Sequence, residues 1–420
     1  MSLEEIDYNS IESRKCYSEE ERLLSGSKLE YYIFTILFPP ICLMGLAGNM
    51  LNLVVLLSKE MKSRMALIIR NNNCRANFLL ACLAFCDITF LLLMIPHSLA
   101  NFPAIGLSYY FRLYYLPMKV NLITFANWSS AAAIWLVVAV CAERLIGIRY
   151  PFYSRGHWSR WCFIATVVSI VVLSFALTLY NHFWYECTVK IFCNGTQPLG
   201  KCLDVTLDKY PVRNGFRKNH TPMFIRNYVK ISIIANAIFI VIIPTILLTA
   251  LNAALIIIIK KRSLVIYQSL SVSECQSSGK ENGKISVTLF RRNADQLNQQ
   301  RTEHRIAITV CAIVTCFTIT QAPSAIVQTL TLFREQPTAI RGLDRKWAYL
   351  HTLTAFLVIL GKSLNFILFC LSSATFRRKL VTILKTKAVG YKRRRNSNLS
   401  GTAVTHLSMS VRRLSKSNVY

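Results

Sequence analysis

The sequence predicts an all-α membrane protein, a bundle of seven transmembrane helices followed by a short amphipathic eighth helix. First, hydrophobic residues make up 53% of the 420 residues and are gathered into seven long blocks. A helix needs about 20 apolar residues to cross a bilayer. Second, a charged fraction of 16% and a mean hydropathy of +0.38 are unusual for a soluble protein of this length. Third, most basic residues lie between or after the blocks.

Each block is too long and too continuous to be a strand of a membrane barrel. Numbered in chain order, the predicted spans cover residues 31–57, 76–100, 114–148, 159–182, 228–259, 304–333 and 347–371. The expected domains are an N-terminal segment (1–30), the transmembrane domain (31–372) with a mobile polar loop (263–300), an amphipathic helix on the membrane surface (373–386) and a disordered tail (387–420).

The distribution of Lys and Arg predicts the orientation in the membrane. These residues gather in the loops after spans 1 and 5 and in the tail, as is typical of cytoplasmic segments. We therefore expect a multi-pass protein of the plasma membrane with its N-terminus outside and its C-terminus in the cytoplasm. The loop between spans 4 and 5 is also basic, but the other loops outweigh it. The net charge of +29 then reflects this bias rather than binding to nucleic acid.

Short motifs occur at characteristic places in these spans. They are Gly48-Asn49, Leu83-Ala84-Phe85-Cys86-Asp87, Glu143-Arg144-Leu145, Pro244, Pro323 and Asn365-Phe366-Ile367-Leu368-Phe369. In this order they resemble the rhodopsin-like (class A) G-protein-coupled receptors. The stretches Tyr114-Tyr115-Leu116-Pro117 and 179–186 further resemble invertebrate and nematode FMRFamide-type neuropeptide receptors. The resemblance implies a receptor that activates a heterotrimeric G protein. The sequence contains no phosphate-binding loop and no nucleophile–base arrangement, so we expect neither catalysis nor a cofactor. The Ser and Thr residues of the tail would then be phosphorylated by a receptor kinase and bound by arrestin; alternatively, the tail is a solvated linker.

The resemblance implies roles for the end of span 3 and for two prolines. Glu143 and Arg144 would form the latch that opens for the G protein. Alternatively, Arg144 is an ordinary basic residue at the cytoplasmic end of a helix. Span 6 would move outward about Pro323, and Pro244 would kink span 5, because a proline in a helix frees a backbone carbonyl. Gln321 stands where the family usually has Trp, so we do not assign to Gln321 the conformational toggle role of that Trp.

A polar network inside the membrane is predicted from Asn49, Asp87, Lys362 and Asn365. A charged side chain at the centre of a membrane helix costs about 2.5–3.5 kcal/mol on insertion scales, so it is expected to have a partner. The resemblance implies that Asp87 binds sodium. However, Ala133 occupies the position of a Ser that often helps to hold the ion, and Lys362 occupies the position of another small polar ligand. Our hypothesis is that Lys362 replaces the sodium ion and bridges to Asp87. Alternatively, Lys362 faces a water-filled cavity.

The binding pocket for an extracellular peptide ligand is expected among the outer halves of spans 3, 5, 6 and 7. Candidate residues are Asn121, Phe125, Trp128, Ser129, Gln328, Phe333, His351 and Phe356, with Glu186 as an anchor for a ligand cation. Each could equally serve helix packing. The absence of an Asp near Ser129 argues against a monoamine, and the resemblance implies an Arg-Phe-amide peptide. The alternatives are a chemosensory receptor for a small molecule and a seven-helix transporter or channel, although the chain lacks the repeated halves of transporters.

Four cysteines and two glycosylation acceptors lie in the segments expected outside the cell. The resemblance implies a bridge from span 3, but Lys119 occupies that position. We expect Cys187 to pair with Cys202 or Cys193, and Cys16 with the remaining cysteine, among the three possible pairings. Asn194 and Asn219 each begin an Asn-x-Thr acceptor for a glycan.

Overall fold

A computed structural model describes residues 15–56, 72–150, 160–212, 215–276 and 341–372, with the short stretches 315–316, 318–324, 326–327, 329–330 and 381–382. The chain divides into two units, Met1–Ser372 and Ser373–Tyr420. Six helices in the described part are long and apolar enough to cross a membrane. The described stretches of span 6 are helical as well, in agreement with a seven-helix bundle. The predicted eighth helix and tail lie outside the described residues, apart from 381–382.

The observed helices extend beyond several predicted ends. They are Lys28–Tyr32, π-helical Ile33–Leu37 and Phe38–Leu56 in span 1; Asn72–Leu99 in span 2; Tyr109–Arg149 in span 3; Arg160–Thr178 and Tyr180–Trp184 in span 4; Met223–Asn236, π-helical Ala237–Ile242 and Ile243–Gln276 in span 5; and Arg341–Ser372 in span 7. Short helices cover Glu19–Arg22 and Pro103–Gly106. The first part of the predicted mobile loop, up to residue 276, is therefore helical, and residues 277–300 lie outside the described part.

Span 3 forms the centre of the bundle and packs against spans 2, 4 and 5. Its Ala131, Ala132 and Ala133 are all at most 2% exposed, and such small residues let neighbouring helices approach closely in a membrane. Leu136 of span 3 and Leu248 of span 5 belong to the same buried cluster as Ala131 and Ala133. Span 3 is thereby fixed in rotation, which decides which of its side chains face the interior.

Spans 1 and 7 meet at two glycines. A Cβ atom on Gly45 would lie 2.5 Å from the Ser363 hydroxyl, and one on Gly48 would lie 2.5 Å from Cγ of Phe366. No real side chain tolerates such a distance without movement of its neighbour. The two glycines therefore allow span 7 to lie directly against span 1, next to the predicted polar network.

Two antiparallel hairpins fill the long connection between spans 4 and 5, where the sequence analysis predicted only a loop. The first pairs β1 (Tyr185–Phe192) with β2 (Gln197–Asp204), and the second pairs β3 (Lys209–Val212) with β4 (Gly215–Lys218). Cys193, Asn194 and Gly195 have positive φ in the first turn, a conformation that Asn and Gly tolerate best. We call this end of the bundle the hairpin end.

The N-terminal segment is fastened to the first hairpin by a disulfide bond between Cys16 and Cys193. The second disulfide joins Cys187 to Cys202, which are directly opposite on β1 and β2. Of the two partners expected for Cys187, Cys202 and Cys193, the structure therefore has Cys202. A hydrogen bond from the backbone N–H of Tyr17 to the side chain of Gln197 also fixes the segment.

Arg112, near the start of span 3, joins three parts of the hairpin end. Arg112 is only 1% exposed. It donates hydrogen bonds to the carbonyl of Gly106 (2.6 Å), to that of Pro198 on β2 (3.0 Å) and to that of Arg22 in the N-terminal segment. The fork of five N–H donors suits this task better than a single ammonium. Arg112 thus ties span 3 to the hairpin where the usual disulfide is missing.

Candidate functional site

The predicted polar network is assembled between spans 1, 2 and 7. The ammonium of Lys362 lies 3.2 Å from Asp87 Oδ1, and the Asn365 amide donates a 2.5 Å hydrogen bond to Asp87 Oδ2. The Asn49 amide donates to the backbone carbonyls of Gly45 (3.0 Å) and Lys362 (3.3 Å). All four predicted residues are therefore brought together, and Asp87 is contacted by a cation and an amide on span 7.

This network is withdrawn from solvent. Asp87 is 0% and Lys362 is 1% exposed, and charges removed from water are stable only when they are paired and hydrogen-bonded. The Lys362 ammonium also lies 5.8 Å from the centroid of the Phe90 ring, within the range of a cation–π contact. Lys362 thus places a positive charge directly beside the Asp87 carboxylate.

Above this network lies a cavity of about 250 Å³ between spans 2 to 7. Phe90 and Val358 belong to its lining. Val358 is four residues, one helical turn, before Lys362. The cavity and the buried ion pair are therefore adjacent and share the Phe90 side chain.

Three asparagines give the cavity wall its polar character. The Asn127 amide donates a hydrogen bond to the Asn181 side-chain oxygen (3.1 Å), while the amides of Asn181 and Asn236 donate to the backbone carbonyls of Thr178 (2.8 Å) and Leu177 (3.3 Å). The described lining also has five Ser and Thr residues and Gln321, but no Asp, Glu, Lys or Arg. His97 is the one imidazole of this lining. The wall can therefore exchange hydrogen bonds with a neutral polar group.

The described residues predicted to bind ligand lie outside this cavity. The Trp128 indole donates to the Val171 carbonyl of span 4 (2.9 Å), and Phe125 is 43% exposed beside it. Asn121 is hydrogen-bonded to His182 (2.8 Å), and the Ser129 hydroxyl donates to the Ala126 carbonyl. These four residues of span 3 therefore do not line the cavity; the rotation of a helix about its axis, which decides this, cannot be read from an apolar block.

The other predicted ligand residues are spread over the hairpin end and span 7. Glu186 is exposed on β1, His351 is exposed on span 7, and Phe356 packs against a hydrophobic cluster shared by spans 1, 2, 3 and 7. Gln328 and Phe333 lie outside the residues whose side chains are described. The asparagines of the cavity were missed, although polar residues such as Asn181 and Asn236 within apolar blocks are themselves a signal of function.

The predicted latch and hinges occupy helical positions. Glu143 and Arg144 are half-buried near the end of span 3, opposite to the hairpin end. Pro244 is buried directly after the π-helical turn Ala237–Ile242, a place where a missing N–H is easily accommodated. Pro323 lies in the helical stretch 318–324, which contributes Thr318, Gln321, Ala322 and Ser324 to the cavity.

The two predicted glycosylation sites differ in accessibility. Asn194 is exposed at the turn between β1 and β2. Asn219 is 5% exposed, and its amide nitrogen donates hydrogen bonds to the carbonyls of Val205 (3.0 Å) and Leu207 (2.7 Å). Because a glycan would be attached to that same nitrogen, the buried geometry does not fit the prediction for Asn219.

Comparison with known proteins identifies the family. Residues 37–387 match the family described as "Serpentine type 7TM GPCR chemoreceptor Srw". A Caenorhabditis elegans protein named as a G-protein coupled receptor is 37% identical over 374 residues, which are 89% of this chain and 77% of that protein. A second one from this nematode is 23% identical over 251 residues, 59% of this chain and 52% of the relative. The FMRFamide receptor of Drosophila melanogaster is 25% identical over 185 residues, which are 42% of this chain and 31% of that receptor. The family match covers most of the chain, including the buried network and the cavity, and the chain therefore belongs to the Srw family of seven-transmembrane G-protein-coupled receptors.

Proposed function

We propose that this receptor binds an amidated peptide at the hairpin end and activates a heterotrimeric G protein at the Arg144 end. The observation that carries the ligand class is the cavity wall of Asn127, Asn181 and Asn236, whose described lining holds no acidic side chain. Membership of a receptor family also removes the transporter or channel alternative.

A primary amide at the end of a peptide suits such a wall. A primary amide and an asparagine side chain each offer both donors and an acceptor, so they can form reciprocal hydrogen bonds. A free carboxylate would bring a negative charge into a space whose described lining holds no Lys or Arg to pair with it. A volume of about 250 Å³ is below the 300–1,000 Å³ or so of pockets for drug-sized ligands. The cavity therefore suits the terminal part of a peptide, with the remainder in contact with the hairpin end.

The orientation of the receptor is part of this proposal. Disulfide bonds persist in oxidising compartments, and both disulfides, Cys16–Cys193 and Cys187–Cys202, lie at the hairpin end. Asn194, an exposed glycan acceptor, is at the same end. These features support an extracellular hairpin end and N-terminus, with the Arg144 end and C-terminus in the cytoplasm.

Activation would couple the cavity to the cytoplasmic end of the bundle. The ligand biases a two-state equilibrium by binding more tightly to one state. Span 6 carries Gln321 on the cavity wall and Pro323 at the proposed hinge, so a ligand against Gln321 would shift this helix. Outward movement of span 6 would release Arg144 from Glu143 to contact the G protein, while arrestin and a receptor kinase would act on the tail.

The ligand class is tested with matched peptides on the full chain in lipid nanodiscs. The readout is guanine-nucleotide exchange on a promiscuous G protein, for peptides that end in Phe-amide and for the same peptides with a free carboxylate. We expect the amide form to be about 10- to 100-fold more potent, because a lost or unpaired buried hydrogen bond costs about 1–3 kcal/mol. Asn181→Leu should reduce this preference, whereas Asn121→Leu, outside the cavity, should leave it intact.

Equal potency of the two peptide forms on the wild-type receptor would contradict the amide-recognition proposal. The coupling role is tested separately with Arg144→Gln. This variant should bind the peptide but lose most nucleotide exchange, and a normal exchange response would remove Arg144 from the proposed mechanism.

A chemoreceptor for a small molecule is the second candidate. The family description includes the word chemoreceptor, and the modest cavity volume is compatible with a small neutral ligand. A panel of odorant-sized amides and alcohols in the same exchange assay separates the candidates. A response to small molecules with no response to any amidated peptide would favour the second candidate.

A further inference from the structure

A second cluster of ionisable side chains lies at the hairpin end, beside the cavity but mostly outside its lining. The Glu30 carboxylate of span 1 lies 3.8 Å from Nε2 of His97 on span 2. The other ring nitrogen of His97 lies 2.9 Å from the Tyr115 hydroxyl of span 3. The positive charge of Lys119, one helical turn after Tyr115, is close enough to act on both Glu30 and His97. Three helices therefore bring a carboxylate, an imidazole, a phenol and an ammonium together.

This cluster is connected to the cavity through His97. The imidazole belongs to the cavity lining, and the Phe34 ring packs edge-on against it at 4.7 Å between centroids. The Glu30 side chain is 20% exposed, so it is partly shielded yet open to solvent. One side chain, His97, thus links the partly exposed Glu30 carboxylate to the cavity wall.

The Glu30 carboxylate is held in a defined position. Its Oε2 accepts a 2.8 Å hydrogen bond from the Gly26 backbone, and its own backbone N–H donates to the Ser27 hydroxyl (3.1 Å) at the beginning of span 1. Its Oε1 is separated from His97 by 3.8 Å, which is longer than a hydrogen bond. Oε1 is therefore in ionic range of His97 without a hydrogen bond to it, on a side chain that remains 20% exposed.

We propose that Glu30 binds the cationic side chain of the peptide ligand, a guanidinium or an amine, at the mouth of the cavity. This inference rests on the proposed function, because it assumes that the amidated end of the peptide occupies the asparagine-lined wall. His97 touches both regions, so a basic residue directly before the terminal Phe-amide is the one that reaches Glu30. Without ligand, Lys119 supplies the nearby positive charge, and the ligand cation competes with it.

Glu30 suits this role better than the anchor predicted from the sequence. Glu186 is exposed on β1, where water and salt weaken an ion pair. Glu30 is largely shielded, and a charge-assisted hydrogen bond is stronger in such surroundings. The two glutamates therefore form a matched pair for experiment, with the same charge and different burial.

The test uses two peptides and two variants of the full receptor. The peptides are Phe-Met-Arg-Phe-amide and its analogue with citrulline, in which a neutral urea replaces the guanidinium at nearly the same size. The variants are Glu30→Gln, which keeps an acceptor for the Gly26 N–H, and Glu186→Gln as control. Nucleotide exchange gives the potency, and binding of an antibody at the cell surface confirms that each variant is folded and exported.

We expect Glu30→Gln to lower the potency of the arginine peptide by about 10- to 100-fold. The potency of the citrulline peptide should change by less than about threefold, and Glu186→Gln should affect neither peptide. In a second variant, Lys119→Met, the potency of the arginine peptide should rise because its competitor is removed.

Equal losses for both peptides in Glu30→Gln, or no loss for either, would overturn the assignment of Glu30 while leaving the proposed function intact. A selective loss for the arginine peptide in Glu186→Gln would move the anchor to Glu186. A wild-type receptor that responds to no amidated peptide would overturn both the proposed function and this inference. Should Glu30→Gln fail to reach the cell surface, an unchanged or lowered potency in Lys119→Met would count against the inference.

Discussion

The ammonium of Lys362 lies 3.2 Å from the carboxylate of Asp87, and both side chains are almost completely buried between spans 2 and 7. Asn365 donates a hydrogen bond to the second oxygen of the same carboxylate. A positive charge that belongs to the protein is permanently present, whereas a bound ion depends on the ionic medium. We therefore propose that Lys362 replaces the sodium ion that the class A resemblance implies for Asp87.

The first prediction concerns removal of this internal cation. Lys362→Ala leaves the buried Asp87 carboxylate without its cation, next to the volume that the lysine side chain occupied. Loss of one partner of a buried ion pair lowers the free energy of unfolding by about 3–5 kcal/mol. We expect a lower melting temperature of the purified receptor in potassium buffer, with partial recovery in sodium chloride as sodium enters. Agonist binding should become sensitive to sodium in this variant. Thermal unfolding and ligand binding in matched sodium and potassium buffers measure both effects.

Two further variants serve as controls for the ion pair. Lys346→Ala removes an exposed lysine from the same helix and should change neither property. The double variant Asp87→Asn, Lys362→Met removes both charges and should recover much of the lost stability, because no isolated charge remains. A Lys362→Ala receptor with unchanged stability and no response to sodium would contradict the proposed role.

The contact between Asp87 and Lys362 could be predicted because charged residues are rare in long apolar blocks and must find partners there. The hydrophobic blocks themselves predicted the spans, since length and apolar content determine insertion in a membrane. By contrast, the face of span 3 that lines the cavity was not predictable. Trp128 points to span 4 because its indole N–H finds the Val171 carbonyl, a partner that depends on how two helices are rotated.

The hairpins between spans 4 and 5 were also missed, although the sequence contains a signal for the first one. Asn194-Gly195 follows the strand-forming stretch Tyr185–Phe192, and an Asn-Gly pair is a strong indication of a tight turn. The role of Arg112 could not be inferred in the same way. Its three acceptors are backbone carbonyls of distant segments, and backbone acceptors leave no trace in the sequence.

The second prediction concerns Arg112 at the hairpin end. Arg112→Met leaves the carbonyls of Gly106, Pro198 and Arg22 without their donor, and each unsatisfied buried group costs about 1–3 kcal/mol. We expect a clearly lower melting temperature and weaker peptide binding, since the N-terminal segment and β2 lose a common support. Arg112→Lys should recover only part of the loss because an ammonium lacks the planar fork.

Arg149→Met is the matched control, because Arg149 is exposed at the other end of the same helix. It should leave stability and binding unchanged. An Arg112→Met receptor as stable as the wild type would show that the hairpin end is held together without Arg112.

The third prediction concerns the contact between spans 1 and 7. In Gly48→Ala the new methyl group would lie 2.5 Å from Cγ of Phe366, so the two helices must move apart. Overpacking of this kind typically costs about 1–3 kcal/mol, and the neighbouring hydrogen bond from Asn49 to the Lys362 carbonyl should weaken. Thermal unfolding should show the loss. Ala47→Val, which adds volume at the adjacent exposed position, should have little effect, and equal behaviour of the two variants would contradict the close contact.

The fourth prediction separates the two glycosylation acceptors. Asn194 is exposed at a hairpin turn, whereas the amide nitrogen of Asn219 is committed to two backbone carbonyls. In receptor expressed in eukaryotic cells, Asn194→Gln should therefore abolish the mobility shift that a glycosidase produces on a denaturing gel. Asn219→Gln should leave that shift unchanged but lower the melting temperature, because the longer side chain cannot maintain both hydrogen bonds and the turn with Thr221. A mobility shift lost in Asn219→Gln would mean that the chain is glycosylated before the second hairpin closes over this residue.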